Sequence, residues 1–294
     1  MVRTPAPLDP DSGSRLGLLS LHEAADRLGV HYMTAYRYVR TGRLPATQVG
    51  TQWWVDPRDL AGAGEGVAVA GRPRAQTRRS TRVAAARQLE SRLVAGDEPG
   101  AWAIVEARLG SGTNPDDVLL DELALAMRSV GDGWEAGDYT VDDEHRASGV
   151  ATRVVSRLGA RFTKRGPKRR SVILGTPPHE LHGLPTAMAA NVLRGRGYDV
   201  ADLGADVPAD AFGAAITKTA RPLAVAVAVT AGNHDRSVRA IVRSVEKASP
   251  GLPVLVGGAG IAGEQHAARL GARWSGGDAR QLGEVIEELD RRAR

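Results

Sequence analysis

A multidomain α and α/β chain is predicted: a small winged helix-turn-helix unit, a four-helix bundle and an open parallel α/β domain, in that order. Three observations predict it. Residues 16–60 hold two short helical segments around a glycine, followed by a hairpin pattern. Residues 81–165 keep helical apolar spacing between clear cap signals. Residues 170–294 alternate short Val/Ala/Leu-rich runs with helical ones, the pattern of a parallel sheet.

Bulk composition narrows the function classes. The chain has 294 residues, is 42% hydrophobic and has no cysteine, which excludes thiolate metal sites, iron–sulfur clusters and disulfides. No apolar run approaches the ~20 residues of a membrane span, and the Pro-rich start lacks a signal-peptide core. A cytoplasmic protein with no membrane partner is expected. No phosphate loop and no nucleophile–base pair stands out, so no enzymatic activity is expected.

Taken in order, residues 1–15 are expected to be disordered. Ser20 caps a helix over Leu21–Leu28, with Glu23 completing a capping box and Gly29 ending it. A second helix runs from about His31 to Arg40. Residues 46–49 and 52–55 form a wing around Gly50-Thr51, and Asp56-Pro57 opens another helix. The second helix would offer His31, Tyr32, Thr34, Tyr36, Arg37 and Arg40 to double-stranded DNA, and the wing Arg43, Gln52 and Trp53. Tyr38 and Trp54 are assigned to the small core. Residues 61–80 form a basic flexible linker, and residues 72–92 hold seven arginines and one acid, a composition that suits phosphate contact.

Within 81–165, helices are expected near 82–95 and 99–109. Asn114-Pro115 opens a third with Leu119, Leu123, Met127, Val130 and Trp134 at helical spacing, broken at Gly137. Thr140 and Asp143 form a capping box for a fourth that carries Glu144 and His145. Trp134 and the Glu144–His145 pair can therefore face one space across a short turn. In 170–294, a strand at 171–175 leads into Thr-Pro-Pro-His-Glu-Leu-His, and strands at 200–203, 223–229 and 253–256 follow. Ligands of such sheets bind beyond the carboxyl ends of the strands. His182, Thr230 and Gly257-Gly258 fall there. His182 suits metal ligation, with Glu180 or another partner holding its second ring nitrogen. The glycines permit close backbone approach to a bulky ligand.

These motifs carry a resemblance. Residues 16–60 resemble the excisionase/MerR-type winged helix-turn-helix. Residues 170–294, through Glu180-x-His182, Thr230 and Gly257-Gly258, resemble the flavodoxin-like cobalamin-binding domain, and 82–165 resemble the helical cap of methionine synthase. With the Trp134-x9-Glu144-His145 pattern, the whole is similar to the CarH/LitR-type cobalamin-dependent photoreceptor regulators. The resemblance implies adenosylcobalamin as cofactor, His182 as axial cobalt ligand, and Trp134, Glu144 and His145 over the upper face. It also implies a homo-oligomer, dimer or tetramer, that binds operator DNA in the dark and releases it on Co–C photolysis. Three positions depart from that pattern: Pro185 stands for a loop glycine, Thr230 for serine, and Glu135 where the photoreceptors carry a histidine beside the tryptophan. Two alternatives follow, a sensor of cobalamin or another tetrapyrrole without light gating, and a corrinoid carrier subunit of a methyltransferase.

Overall fold

The computed structural model describes residues 17–30, 32–40, 44–49, 52–60 and 73–293. The chain forms two compact units, 1–77 and 78–294.

In the small unit the Ser20–Glu23 capping box forms in both directions at the start of α1 (Leu21–Leu28), and Gly29, at φ 63°, closes it. The left-handed turn needs the glycine because a Cβ is disfavoured there. Helix α2 spans Tyr32–Arg40. Strands β2 (Thr47–Val49) and β3 (Gln52–Val55) make the expected hairpin. A two-residue strand β1 (Leu19–Ser20), too short to leave a periodic signal, adds to the other edge of β3. Asp56 caps a 3-10 turn, Pro57–Asp59, at the expected helix start, and Leu60 is helical after it; the rest of that expected helix lies outside the described residues. Val55 is fully buried and Trp53 packs on the same core. Side chains alternate along a strand, so Trp54 projects from the opposite face and is not the core residue expected.

The second unit begins with a helical bundle. Helix α3 (Pro73–Val94) starts inside the segment expected as a linker at 61–80. Proline is tolerated at a first helical position, where the missing N–H has no partner anyway, and Arg, Gln and Ala propagate the helix well. Helix α4 spans Glu98–Gly110 under an Asp97 cap. Helix α5, residues 115–136, is not uniform: Pro115–Asp117 leads into a π-helical segment, Val118–Leu123, before regular helix over Ala124–Ala136. Helix α6 spans Val141–Leu158 and ends in a 3-10 turn, Gly159–Phe162. Leu93, Trp102, Val105, Leu119, Leu123, Val130, Val150 and Leu158 fill the space between the four helices.

The α/β part has five parallel strands: β4 (Ser171–Gly175), β5 (Asp199–Asp202), β6 (Pro222–Ala228), β7 (Val254–Gly257) and a short edge strand β8 (Arg273–Trp274) not expected from the sequence. Their order is β5-β4-β6-β7-β8, the flavodoxin-like order, whose switch point lies between the first and third strands. Helices α7 (Leu184–Gly195) and α11 (Ala279–Arg292) cover one face, through Ala190, Leu193, Leu282 and Ile286. Helices α8 (Ala209–Lys218), α9 (Asp235–Ala248) and α10 (Glu264–Arg269) cover the other, through Phe212, Ile241 and Ala267. Among the described residues no helix is long and apolar enough to cross a membrane.

Candidate functional site

The loop between β4 and α7 sits at the switch point, and one carboxylate organises it. Glu180 is 1% exposed. Its Oε2 accepts the backbone N–H groups of Thr230 and Ala231, both at 2.8 Å, from the loop that leaves β6. Its Oε1 accepts the N–H of His182 at 3.1 Å and lies 2.5 Å from His182 Nδ1. Burial by itself would raise this carboxyl, but the donors from Ala231, His182 and Thr230 outweigh it and hold the group below the usual glutamate range. With Nδ1–H donated to Glu180, the tautomer is set and Nε2 is the ring nitrogen left for a metal. That ring is 55% exposed, and among the described residues Nε2 has no hydrogen-bond partner.

The loop is fixed from below as well. Buried Thr176 donates its hydroxyl to the Glu180 carbonyl at 2.6 Å and accepts from the Asp206 N–H at 2.9 Å. Asp206 Oδ1 in turn accepts the His179 N–H at 2.8 Å. His179, Asp206 and Asn233 all carry positive φ (67°, 54° and 72°), a conformation that costs a non-glycine residue free energy and concentrates at binding sites. The sequence reading missed this frame, and it missed His234, whose Nε2 lies 3.9 Å from Glu180 Oε2. His234 ends the same Thr230–His234 loop, which was the available signal. Thr230 contributes through its N–H. Gly257 and Gly258 serve close packing of the chain on itself: a Cβ on Gly258 would meet the Val229 carbonyl oxygen at 2.3 Å, and one on Gly257 would meet Ser275 Oγ at 2.5 Å.

In the bundle, Trp134 is 47% exposed at the end of α5. Glu144 accepts from Ser148 Oγ at 2.6 Å, and its other oxygen lies 3.1 Å from His145 Nδ1. His145 Nδ1 also lies 2.9 Å from the Val141 carbonyl, so among the described residues this ring too keeps Nε2 without a partner. The turn between these residues is locked: the Tyr139 ring occupies the space a Cβ on Gly133 would need, at 2.6 Å, and its hydroxyl donates to Glu90 Oε1 on α3 at 2.9 Å. Burial and that carboxylate push the Tyr139 phenol up to about 12. Glu135 is exposed. Among the described residues no hydrogen bond or ion pair joins Trp134, Glu144 or His145 to Glu180 or His182. The two groups are tied through shared packing instead. Helix α7, directly behind the histidine loop, puts Met188 and Val192 into the bundle core, and Asn191 donates to the Val155 carbonyl of α6 at 3.1 Å.

In the small unit, Tyr32 stacks on His22 with centroids 4.3 Å apart, Tyr36 follows at 6.4 Å, and Trp53 meets Tyr36 edge-on at 6.5 Å. Three of the residues expected at DNA thus form one aromatic row on the core. Thr34 is half-buried and Gln52 exposed. His31 and Arg43 lie outside the described residues, and Arg37 and Arg40 are described by backbone alone.

The class follows from these parts. Residues 18–61 match the helix-turn-helix domain family, and residues 85–158 and 170–283 each match a B12 binding domain family. The chain is 33% identical over 205 residues to the HTH-type transcriptional repressor CarH of Myxococcus xanthus, over 69% of this chain and 64% of the repressor. The helix-turn-helix match thus precedes the two B12 binding matches along the chain. It is also 26% identical over 119 residues to trimethylamine corrinoid protein 1 of Methanosarcina acetivorans, 40% of this chain and 55% of that protein. The chain therefore spans less than two thirds of the length of either relative. The monomethylamine corrinoid protein of Methanosarcina barkeri shares the fold, with a TM-score of 0.56 at 18% identity, covering 68% of this chain and 96% of that one.

Proposed function

We propose that the chain is an adenosylcobalamin-dependent, light-responsive transcriptional regulator, a repressor that grips operator DNA as a homo-oligomer. The observation that carries the reading is the Glu180–His182 pair. A carboxylate is buried with its hydrogen-bond partners supplied, and it orients one imidazole whose Nε2 has no partner among the described residues. Among the described residues no three His, Asp or Glu side chains gather as a metal cluster. One oriented imidazole therefore suits an ion that brings its own equatorial ligands.

His182 would bind cobalt through Nε2, Glu180 would keep its tautomer, and Trp134 with Glu144 and His145 would cover the other side and exclude water. Bound adenosylcobalamin would supply a photolabile Co–C bond. Exposed Trp134 and His145 are free to repack when the group they cover changes, which couples the site to the bundle and to association. Several small readers on one oligomer raise the local concentration at DNA, which a single unit of this size needs.

The test is the visible spectrum of the protein with adenosylcobalamin in darkness, repeated for His182→Ala and after illumination, with elution volume and operator binding followed in parallel. A wild-type protein whose spectrum matches free cofactor, or equals that of His182→Ala, rejects the ligand assignment. Identical elution and DNA binding in dark and light rejects the photochemical part. In that case ligand-dependent DNA binding would support a cobalamin sensor without light gating, a reading favoured by Glu135 beside Trp134.

A further inference from the structure

We infer that the B12-binding unit carries a second nucleic-acid contact of its own: a basic surface on the 161–170 connection that takes the phosphate backbone of duplex DNA. The connection reads Arg-Phe-Thr-Lys-Arg-Gly-Pro-Lys-Arg-Arg. Its six cations and no acids exceed the net charge of the whole chain, +5.

What marks this stretch is the concentration of cations, most of them without a carboxylate in contact. Elsewhere in the unit Arg82, Arg92, Arg108, Arg146, Arg153 and Arg280 each contact a carboxylate. In 161–170 only Arg169 does so, bound to Asp290 at 2.5 Å. Among the described residues Arg161, Lys164, Arg165, Lys168 and Arg170 have no recorded ion pair, and all but Arg170 are exposed. Their polar contacts go to backbone instead: Lys168 Nζ donates to the Lys164 carbonyl at 2.8 Å, and Arg170 to that of Ala293 at 3.0 Å. Arg221 adds a further cation and donates to the carbonyls of Lys168 and Arg169 at 3.1 and 3.3 Å. Carbonyls hold the loop without neutralising it. Of the nearby carboxylates, Asp290 is bound to Arg169, Asp199 accepts from Ser171 Oγ at 3.0 Å, and Asp116 feels Lys164 as one of several cations, so two anions set against six cations leave the stretch strongly positive.

A concentrated positive field on a turn held in place by its own backbone fits an extended row of phosphates, which releases counterions as it binds. Duplex DNA is the favoured polyanion because the same chain carries a helix-turn-helix domain. The loop precedes β4, so it lies at the amino ends of the strands, whereas Glu180 and His182 lie beyond the carboxyl ends. DNA and cofactor therefore do not compete for space on this unit.

The inference rests on the DNA-binding reading, and one experiment separates the two. DNA affinity of the full chain is measured against salt for wild type and for Lys164→Gln/Arg165→Gln/Lys168→Gln, on operator and on unrelated duplex. The slope of log affinity against log salt is expected to fall by roughly 2–3, with affinity about tenfold or more weaker near ~150 mM salt, on both duplexes. The exchange Lys164→Arg/Arg165→Lys/Lys168→Arg should restore the slope. Melting temperature and the spectrum with adenosylcobalamin should match wild type throughout. A triple variant with unchanged slope overturns the second contact and leaves the regulator reading standing. The same holds if polyglutamate titrates these residues and DNA does not. A wild-type chain that binds no duplex at all overturns both.

Discussion

At the scale of single residues, Glu180 is the group on which the site depends. A carboxylate 1% exposed is tolerated because four donors from two loops converge on it. Glu180→Ala leaves the Thr230 and Ala231 N–H groups without acceptors, so the cofactor-free protein should lose about 1–3 kcal/mol in urea unfolding. The sign of its pH dependence follows from the lowered carboxyl. Stability from Glu180 is fully present above the unfolded glutamate value, about 4.3, and is lost as the pH falls from there through the lower folded value. Unfolding measured from pH 6 to 3 should show wild type losing more stability than Glu180→Gln. Equal losses would mean that the carboxylate is not selectively held. Glu180 and His182 were legible in the sequence because an acid two residues before a histidine at a strand end is a local pattern. The supporting frame was not. Thr176, Asp206 and His234 meet them only after the chain has crossed to other strands, and no spacing encodes that. Gly257 and Gly258 stood out as a pair, but their packing was not legible: Ser275 Oγ and the Val229 carbonyl occupy the space a Cβ would need, and both come from distant parts of the sequence.

At the scale of elements, the capping boxes at Ser20 and Thr140 and the glycine ends at Gly29 and Gly137 were legible, because each is settled within four residues of sequence. The π-helical segment Val118–Leu123 was not, because its apolar residues satisfy regular helical spacing equally well. It contains Glu122, fully buried, whose carboxylate takes a two-pronged bond from Arg108 at 2.6 and 3.0 Å. Such a pair is costly to bury and more costly to break. Arg108→Met alone should therefore destabilise the unit by about 3–5 kcal/mol, whereas Arg108→Met with Glu122→Leu should regain most of that. Denaturant titrations of the two single variants and the double variant give the answer, and additive losses would show that the ions act independently. The α5–α6 turn makes a second case. Gly133 leaves room for the Tyr139 ring, so Gly133→Ala should cost about 1–3 kcal/mol by overpacking. It should also perturb Trp134 fluorescence, since the turn positions that tryptophan. A silent spectrum would mean that the Tyr139 contact does not set the roof.

At the scale of the whole molecule, two compact units with separate cores predict separate responses to ligand. The larger one joins roof and floor through a common core, with Met188 and Val192 of α7 inside the bundle cluster. A rim of charge adds to it: Arg280 of α11 and Arg82 of α3 both reach Asp117 and Asp121 on α5. These arginines are about a third exposed, so solvent screens the network and packing carries the connection. A group held between roof and floor binds only when both are folded together, and it therefore stabilises the larger unit as one body. At a free cofactor concentration of ~100 times the dissociation constant that stabilisation is about 2.7 kcal/mol. For a unit of this size it corresponds to a rise of roughly 5–10 °C in melting temperature. Calorimetry in darkness should show the larger transition move by that amount with adenosylcobalamin, while the helix-turn-helix transition stays in place. His182→Ala should melt normally without cofactor, because its ring is half exposed and only Glu180 loses a partner, yet fail to shift when cofactor is added. A shift that survives in His182→Ala would place the binding energy outside the imidazole, and a shift of the small unit alone would detach the ligand from the α/β floor.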